Sequence, residues 1–457
     1  MTAGRGAGSV IKKLLGRIGF LFKYLFLGYE KPKEEPYRRA SKDNIYDALD
    51  FIRKEKVESL NEAVKEKIRN KIVEGIEPVN IGFIVSEGAK WNSGPIMEEI
   101  EIEQNLQSRV FLNMNSSLRK LDYETRKKAY LQERDFFLNI DNHLVDLYDW
   151  EKDIVKPIEE IDADIIFLQQ PWGMLDYPRR MVGRALSAYM HYGFMMMANH
   201  GMHYNIGSFH SYLWKYFTQT EGHRMMHLSH DPSAYNKLVV TGYPKLDVYL
   251  DDTVKGDCAH WRGPEGKRVI YAPHHGLGND NLKMSTFKWM HKLMLELAQN
   301  TPGLQWIYKP HPNLKYSVEK NNLMSRAQYL QYEKAWSDLP NASVYDRGNY
   351  FDIFKTSDAL ITDCGSFLAE YLPTEKPILW LISKDSVGLN PVGEKLADSF
   401  YKIRNVDEFK MVFGDVIIKN NDHLREKRLM AKDQLFPAQG KSATEVVKYI
   451  KTYFGIG

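Results

Sequence analysis

The chain has 457 residues, 43% of them hydrophobic and 26% charged, which is enough for two or three domains with separate cores. Two cysteines, Cys258 and Cys364, exclude a disulfide-stapled module, and 57 aromatic residues argue against disorder. A net charge of +3 carries no global nucleic-acid-binding signal, and no apolar run reaches the ~20 residues of a membrane-spanning helix.

Charge is unevenly spread. Residues 1–29 hold Arg5, Lys12, Lys13, Arg17 and Lys23 and no acid, so the other 428 residues sum to −2. Ile11, Leu14, Leu15, Ile18, Leu21, Phe22, Leu25 and Phe26 recur at spacings of three and four, which predicts a helix with one apolar face. A basic helix of this kind suits the interface of an anionic membrane, and contact is expected through residues 10–28. A packed helix or a signal peptide is the alternative. The signal fits poorly, because Lys23 interrupts the apolar stretch and Glu30-Lys31-Pro32-Lys33 follows it.

Residues 1–40 are therefore read as a membrane-associating segment. Residues 41–78 form a helical extension, with polar helices over Asn44–Lys54 and Leu60–Ile72, and their pattern points to no particular function. Asn80–Val85 then reads as a short buried strand, Ile96–Leu106 as a helix, Arg109–Leu112 as a second strand and Asp164–Leu168 as a third. Met195, Met196 and Met197 read as core strand.

The second half repeats the pattern. Val269–Ala272, Gln305–Lys309, Ala359–Thr362 and Pro377–Leu381 are predicted strands, with helices over Thr286–Gln299 and from Ser366 to Leu372. Alternating strand and helix implies an α/β fold of two Rossmann-like lobes facing a cleft. The lobes are expected at 79–250, for the acceptor, and 251–457, for a nucleotide donor, with the boundary near Leu246–Gly266.

Ligands of open α/β sheets sit at the carboxyl ends of the strands, and several strand ends here are polar. His274 and His275 follow the strand ending at Ala272. Lys309 and His311 follow the next, with Pro310 and Pro312 fixing the backbone around His311. Thr362, Asp363 and Ser366 open a helix that carries Glu370, and such a start suits a phosphate. Asp363 also reads as a helix cap. No P-loop and no Gly-x-Gly-x-x-Gly is present, which disfavours an ATPase or a dinucleotide enzyme. Seven of the fourteen histidines fall between His191 and His230, at spacings that match no compact zinc pattern. No metal and no cofactor is expected. His200, beside Gly201, is the first candidate for a catalytic base. Asp162-Ala163-Asp164 opens a strand, so it lies at the wrong end for the cleft.

Tyr271-Ala272-Pro273, His311, Asp352-Ile353 and Ser357–Ser366 resemble the C-terminal half of the CDP-glycerol glycerophosphotransferases, the teichoic acid primases and polymerases. Asn199-His200-Gly201 resembles that family's Trp-His-Gly motif. The likeness spans roughly residues 160–450. It implies a GT-B fold and a CDP-activated polyol phosphate as donor. It implies a lipid-linked or glycan acceptor at the cytoplasmic membrane face, with no nucleic acid as partner. It also implies that His200 is the base, and that His311 with Thr362–Ser366 holds the diphosphate. The sequence departs from the family at three places. Cys364-Gly365-Ser366 replaces Tyr-Ser-Ser, Met202-His203-Tyr204 replaces Pro-Leu-Lys, and His274-His275-Gly276 replaces Thr-Trp-Arg. The rival expectations are a GT-B glycosyltransferase using a nucleotide sugar in capsule or lipopolysaccharide assembly, and a non-catalytic membrane-bound scaffold.

Overall fold

The structure is a computed structural model. It describes residues 40–457 except 76, 199–200, 205, 252, 279–281, 346–348 and 457. The expected amphipathic segment therefore lies outside the described residues. The two polar helices predicted after it are one helix, Ala40–Glu74. No Pro or Gly breaks it, and i,i+3 pairs such as Glu62–Lys65 (2.7 Å) run along its surface. Val64 and Ile68 bury its inner side against the first lobe.

That lobe holds β1 (Val79–Val85), β2 (Leu106–Leu112), β3 (Val145–Asp146), a small hairpin of β4 (Tyr148–Asp149) and β5 (Ile154–Val155), then β6 (Ile165–Leu168), β7 (Leu186–Met190), β8 (Lys215–Thr218) and β9 (Leu238–Val240). Seven of these strands form one sheet, ordered β3-β2-β1-β6-β7-β8-β9. The second lobe holds β10 (Arg268–Ala272), β11 (Gln305–Tyr308), β12 (Ala342–Val344), β13 (Ala359–Thr362), β14 (Ile378–Leu381) and β15 (Tyr401–Ile403). Its sheet is ordered β12-β11-β10-β13-β14-β15. Both sheets are parallel throughout. Their strands are near-continuous apolar runs because helices cover both faces. The strand order reverses beside β1 and beside β10, which opens a crevice at the carboxyl edge of each sheet. The fold is α/β, of GT-B type, as expected.

Among the described residues, several contacts join the lobes, and two segments carry the most extended of them. Met195–Met197 lies beyond β7, not in a strand as predicted, and it is buried between the lobes. The backbone of Asn390 donates to the Met196 carbonyl (2.8 Å), its amide donates to the Met195 carbonyl (2.8 Å), and Ala198 N donates to Gly388 O (3.1 Å). The last helix, Ser442–Phe454, returns to the first lobe, where Trp214 packs on Tyr453 and Lys451 pairs with Glu103 (2.7 Å). Asp164 lies just before β6, buried, where it binds Lys71 (2.9 Å) and Lys67 (3.0 Å) from the long helix. It is a structural clasp at the end of the sheet away from the cleft.

Candidate active site

Between the carboxyl edges of the two sheets lies a cleft of about 970 Å³. Its second-lobe wall is built from the loops after β10, β11 and β13. These loops are tied together by backbone. His311 N donates to Pro273 O (3.0 Å), Lys309 N donates to Tyr271 O (2.8 Å), and His274 N donates to Asp363 Oδ1 (2.5 Å). The result gathers His274, His275 and His311 with ring centroids 4.1–5.1 Å apart. Lys309 is buried beside them, its ammonium over Tyr350 (5.1 Å) and Tyr345 (5.3 Å).

The histidines share one device. Gly276 N donates to His274 Nδ1 (3.0 Å), and Asn313 N donates to His311 Nδ1 (3.1 Å). A neutral imidazole whose Nδ1 accepts must carry its proton on Nε2. Burial holds both rings well below the usual histidine range, so both are neutral. Each therefore offers an Nε2–H donor. The nitrogens of the three rings lie close enough to hold a cation. A cation on Nε2 would force the proton onto Nδ1 and against a backbone N–H. His274 and His311 are thus set to donate to an anion, not to coordinate a metal.

Other predicted site residues take different places. Thr362 is buried, its hydroxyl donating to Ala272 O (2.7 Å) and accepting from Cys364 N (3.0 Å). Asp363 accepts from His274 N, from Thr286 N (2.6 Å) and from Thr286 Oγ1 (2.8 Å). Neither lines the cleft. Both are corrected here to positioning residues, because their polar atoms are committed to the loops. Glu370 lines the cleft, but as a carboxylate that accepts from Tyr350 OH and sits 3.6 Å from Lys245. A carboxyl oxygen accepts from hydroxyls, so of the expected donor or phosphate contacts this position suits the hydroxyls of a donor. Ser366 lines the cleft, with its hydroxyl 3.6 Å from Cys364 Sγ. His200 lies outside the described residues.

Gly365 explains one departure in the sequence. A Cβ there would stand 2.6 Å from Met197 Sδ, so the missing hydroxyl is the place where the first lobe packs. The first-lobe wall adds residues that sequence reasoning passed over as ligands, namely Lys90, Trp172, His191, Tyr192 and His203. Lys90 is fixed by Gln170 (2.6 Å) and Glu87 (2.7 Å), in the loops after β6 and β1. The available signal was position, since His191 directly follows β7 and Lys90 follows the loop after β1.

Residues 194–385 match the model of the CDP-glycerol:poly(glycerophosphate) glycerophosphotransferase family. Over that stretch, under half of its length, the chain is similar to this family. The matched region contains the whole second-lobe wall, from His274 to Glu370, and the enzyme is a glycerophosphotransferase-like transferase. Among curated proteins no relative matches the chain. Solved structures of similar fold include UDP-GlcNAc 2-epimerase from Neisseria meningitidis bound to UDP-GlcNAc, with TM-score 0.53 and 13% identity over 82% of this chain and 100% of that one. A putative UDP-N-acetylglucosamine 2-epimerase from Listeria monocytogenes gives TM-score 0.56 and 13% identity over 83% and 97%. At that identity the likeness concerns the fold alone.

Proposed function

We propose that this glycerophosphotransferase-like enzyme transfers a polyol phosphate, glycerol phosphate or a near relative, from a CDP-activated donor. The acceptor is a hydroxyl of a lipid-linked or glycan chain in cell-surface polymer synthesis. The observation that carries the reading is the anion-receiving wall, with two Nε2–H donors and a buried lysine at the switch point of the matched lobe.

In this reading the diphosphate lies against His274, His311 and Lys309, with Ser366 as a further donor. The acceptor oxygen attacks the β-phosphorus, the bond from that phosphorus to the bridging oxygen breaks, and CMP leaves with the electron pair. Positioned donors stabilise the charge that builds on the leaving group, which is where preorganised hydrogen bonds act most. Glu370 and Tyr350 present oxygen atoms suited to donor hydroxyls. The family resemblance assigns the base that takes the hydroxyl proton to His200.

The test is CMP release by the full chain, supplied with CDP-glycerol, CDP-ribitol, CMP-sugars and UDP-sugars in turn. Release from a CDP-polyol supports the transfer. Turnover of UDP-sugars or CMP-sugars alone moves the chemistry to glycosyl transfer and rejects it.

We also propose a peripheral place at the cytoplasmic membrane face. The support is the basic, apolar pattern of residues 10–28. Among the described residues no helix is long and apolar enough to cross a membrane. Deleting residues 1–28 is expected to abolish co-sedimentation with anionic vesicles; retained binding would reject the anchor.

A further inference from the structure

The first sheet has a switch point of its own, because β6 lies on the side of β1 opposite β2. The loops after β1 and β6 meet there, and two buried glutamines fasten them. Gln169 Oε1 accepts from Ser86 N (2.9 Å) and Glu87 N (3.1 Å), and its amide donates to Glu87 O (2.8 Å). The Gln170 amide donates to Ser86 Oγ (2.9 Å) and to Glu87 Oε1 (3.2 Å). Gln170 Oε1 is left to accept from Lys90 Nζ at 2.6 Å. Glu87 Oε1 takes a second ammonium proton at 2.7 Å, and the Tyr192 ring lies 5.2 Å from the same nitrogen. Gln169 and Gln170 are 5% and 1% exposed, so their amides serve this arrangement and not water.

A lysine is ordinarily a point charge on a flexible stem. Here its head group is held before any ligand arrives, by an amide oxygen, a counter-ion and a ring. An ammonium has three N–H donors, and Gln170 and Glu87 take two of them. Lys90 lines the cleft from the first lobe, facing the wall that carries His311. Burial, the neighbouring histidines, Lys309 and then Lys90 hold the His311 ring well below the usual histidine range, so the charge of Lys90 is felt across the cleft. A phosphoryl group received by the Nε2–H donors of His274 and His311 would meet this ammonium on its other side.

We propose that Lys90 is a catalytic residue that contacts the phosphoryl group being transferred, from the side opposite His274 and His311. The inference rests on the transfer reading. The acceptor oxygen bonds to the β-phosphorus and loses its proton to the base. The bond from that phosphorus to the bridging oxygen breaks, and its electron pair leaves with CMP. Charge spread over the remaining oxygens of the β-phosphorus is then met from both lobes. Gln170 and Glu87 act through Lys90 and are positioning residues.

The test is calorimetric titration of the full chain with CMP and with CDP, which differ by the second phosphate. The wild type should bind CDP more tightly. Lys90→Met should weaken CDP binding about 10-fold or more and leave CMP binding within about twofold. Lys90→Arg should keep part of the preference for CDP. Gln170→Met should lose part of it while CMP binding holds, a selectivity that a merely structural fault would not show. Lys90→Gln, read in the same way, takes the place of Lys90→Met if the latter does not fold. No preference in the wild type, or an unchanged preference in the Lys90 variant, would overturn the inference. In turnover of a CDP-polyol, Lys90→Met should lower kcat about 100-fold, and a value within about threefold of wild type would also overturn it. If no CDP-polyol releases CMP and uridine nucleotides bind instead, the transfer reading fails, and UMP against UDP still decides whether Lys90 meets the second phosphate.

Discussion

Asp363 sits where two loops of the second-lobe wall meet, and its carboxylate accepts three hydrogen bonds with almost no access to water. Burial pushes its pKa up to about 6 despite those bonds. Replacing it by Asn puts an amide N–H where an acceptor is needed. Asp363→Asn is expected to cost about 1–3 kcal/mol of stability. It should also weaken CDP binding, because His274 N loses its anchor. Urea unfolding and calorimetric titration with CDP measure the two effects; unchanged values in both would reject the positioning role. The motif around Asp363 was legible in the sequence, but its role was not. Thr362 and Asp363 read as ligands because they end a strand, yet their side chains turn back to Ala272 and Thr286. Which way a side chain turns at a strand end depends on the neighbouring loop, and that loop comes from far along the chain.

The helix Ser442–Phe454 carries Val446, Val447, Ile450 and Phe454 on its buried face, although it follows the second lobe in sequence. Its N-terminus is fastened by Asp247, which accepts from Ser442 Oγ (2.7 Å) and Ala443 N (3.0 Å). Trp214 and Phe217 meet Tyr449, Tyr453 and Phe454 on the first lobe. Ile450→Ala is expected to lower stability by about 2–5 kcal/mol, as for other buried Ile truncations. Chemical denaturation checks it, and a loss under about 1 kcal/mol would mean that the helix is not part of the cooperative core. The apolar periodicity of such a helix states that it packs, but not on what. The same limit applied to Met195–Met197, whose apolar run is equally suited to a strand and to an interlobe seam.

At the scale of the whole molecule, buried neutral histidines make the fold sensitive to acid. Burial depresses His223 and His227 from 6.5 to about 4 and holds His191, His210, His274 and His311 well below 6.5. The unfolded chain then binds more protons than the native one between about pH 6.5 and about pH 4, so stability falls as pH falls through that window. Asp247 and Asp363, both raised to about 6 by burial, act in the opposite sense but are outnumbered. The unfolding free energy is expected to drop by several kcal/mol from neutral pH to about pH 5, at roughly 1.4 kcal/mol per proton per pH unit. His223→Gln should lessen the slope. A flat profile over that range would reject the account.

The sequence by itself determined the α/β class, the paired lobes and the strand ends that carry His274, His275, Lys309 and His311. These are local properties, because a buried parallel strand is a short apolar run and the residue after it is a polar, loop-forming one. Only the tertiary structure decided what those residues face. It set the tautomers of His274 and His311 through backbone amides, the link from Lys90 to Gln170, the seam of Met197 on Gly365 and the return of the last helix. Each of these depends on atoms placed by a different stretch of chain, and the direction of a hydrogen bond is set by its partner.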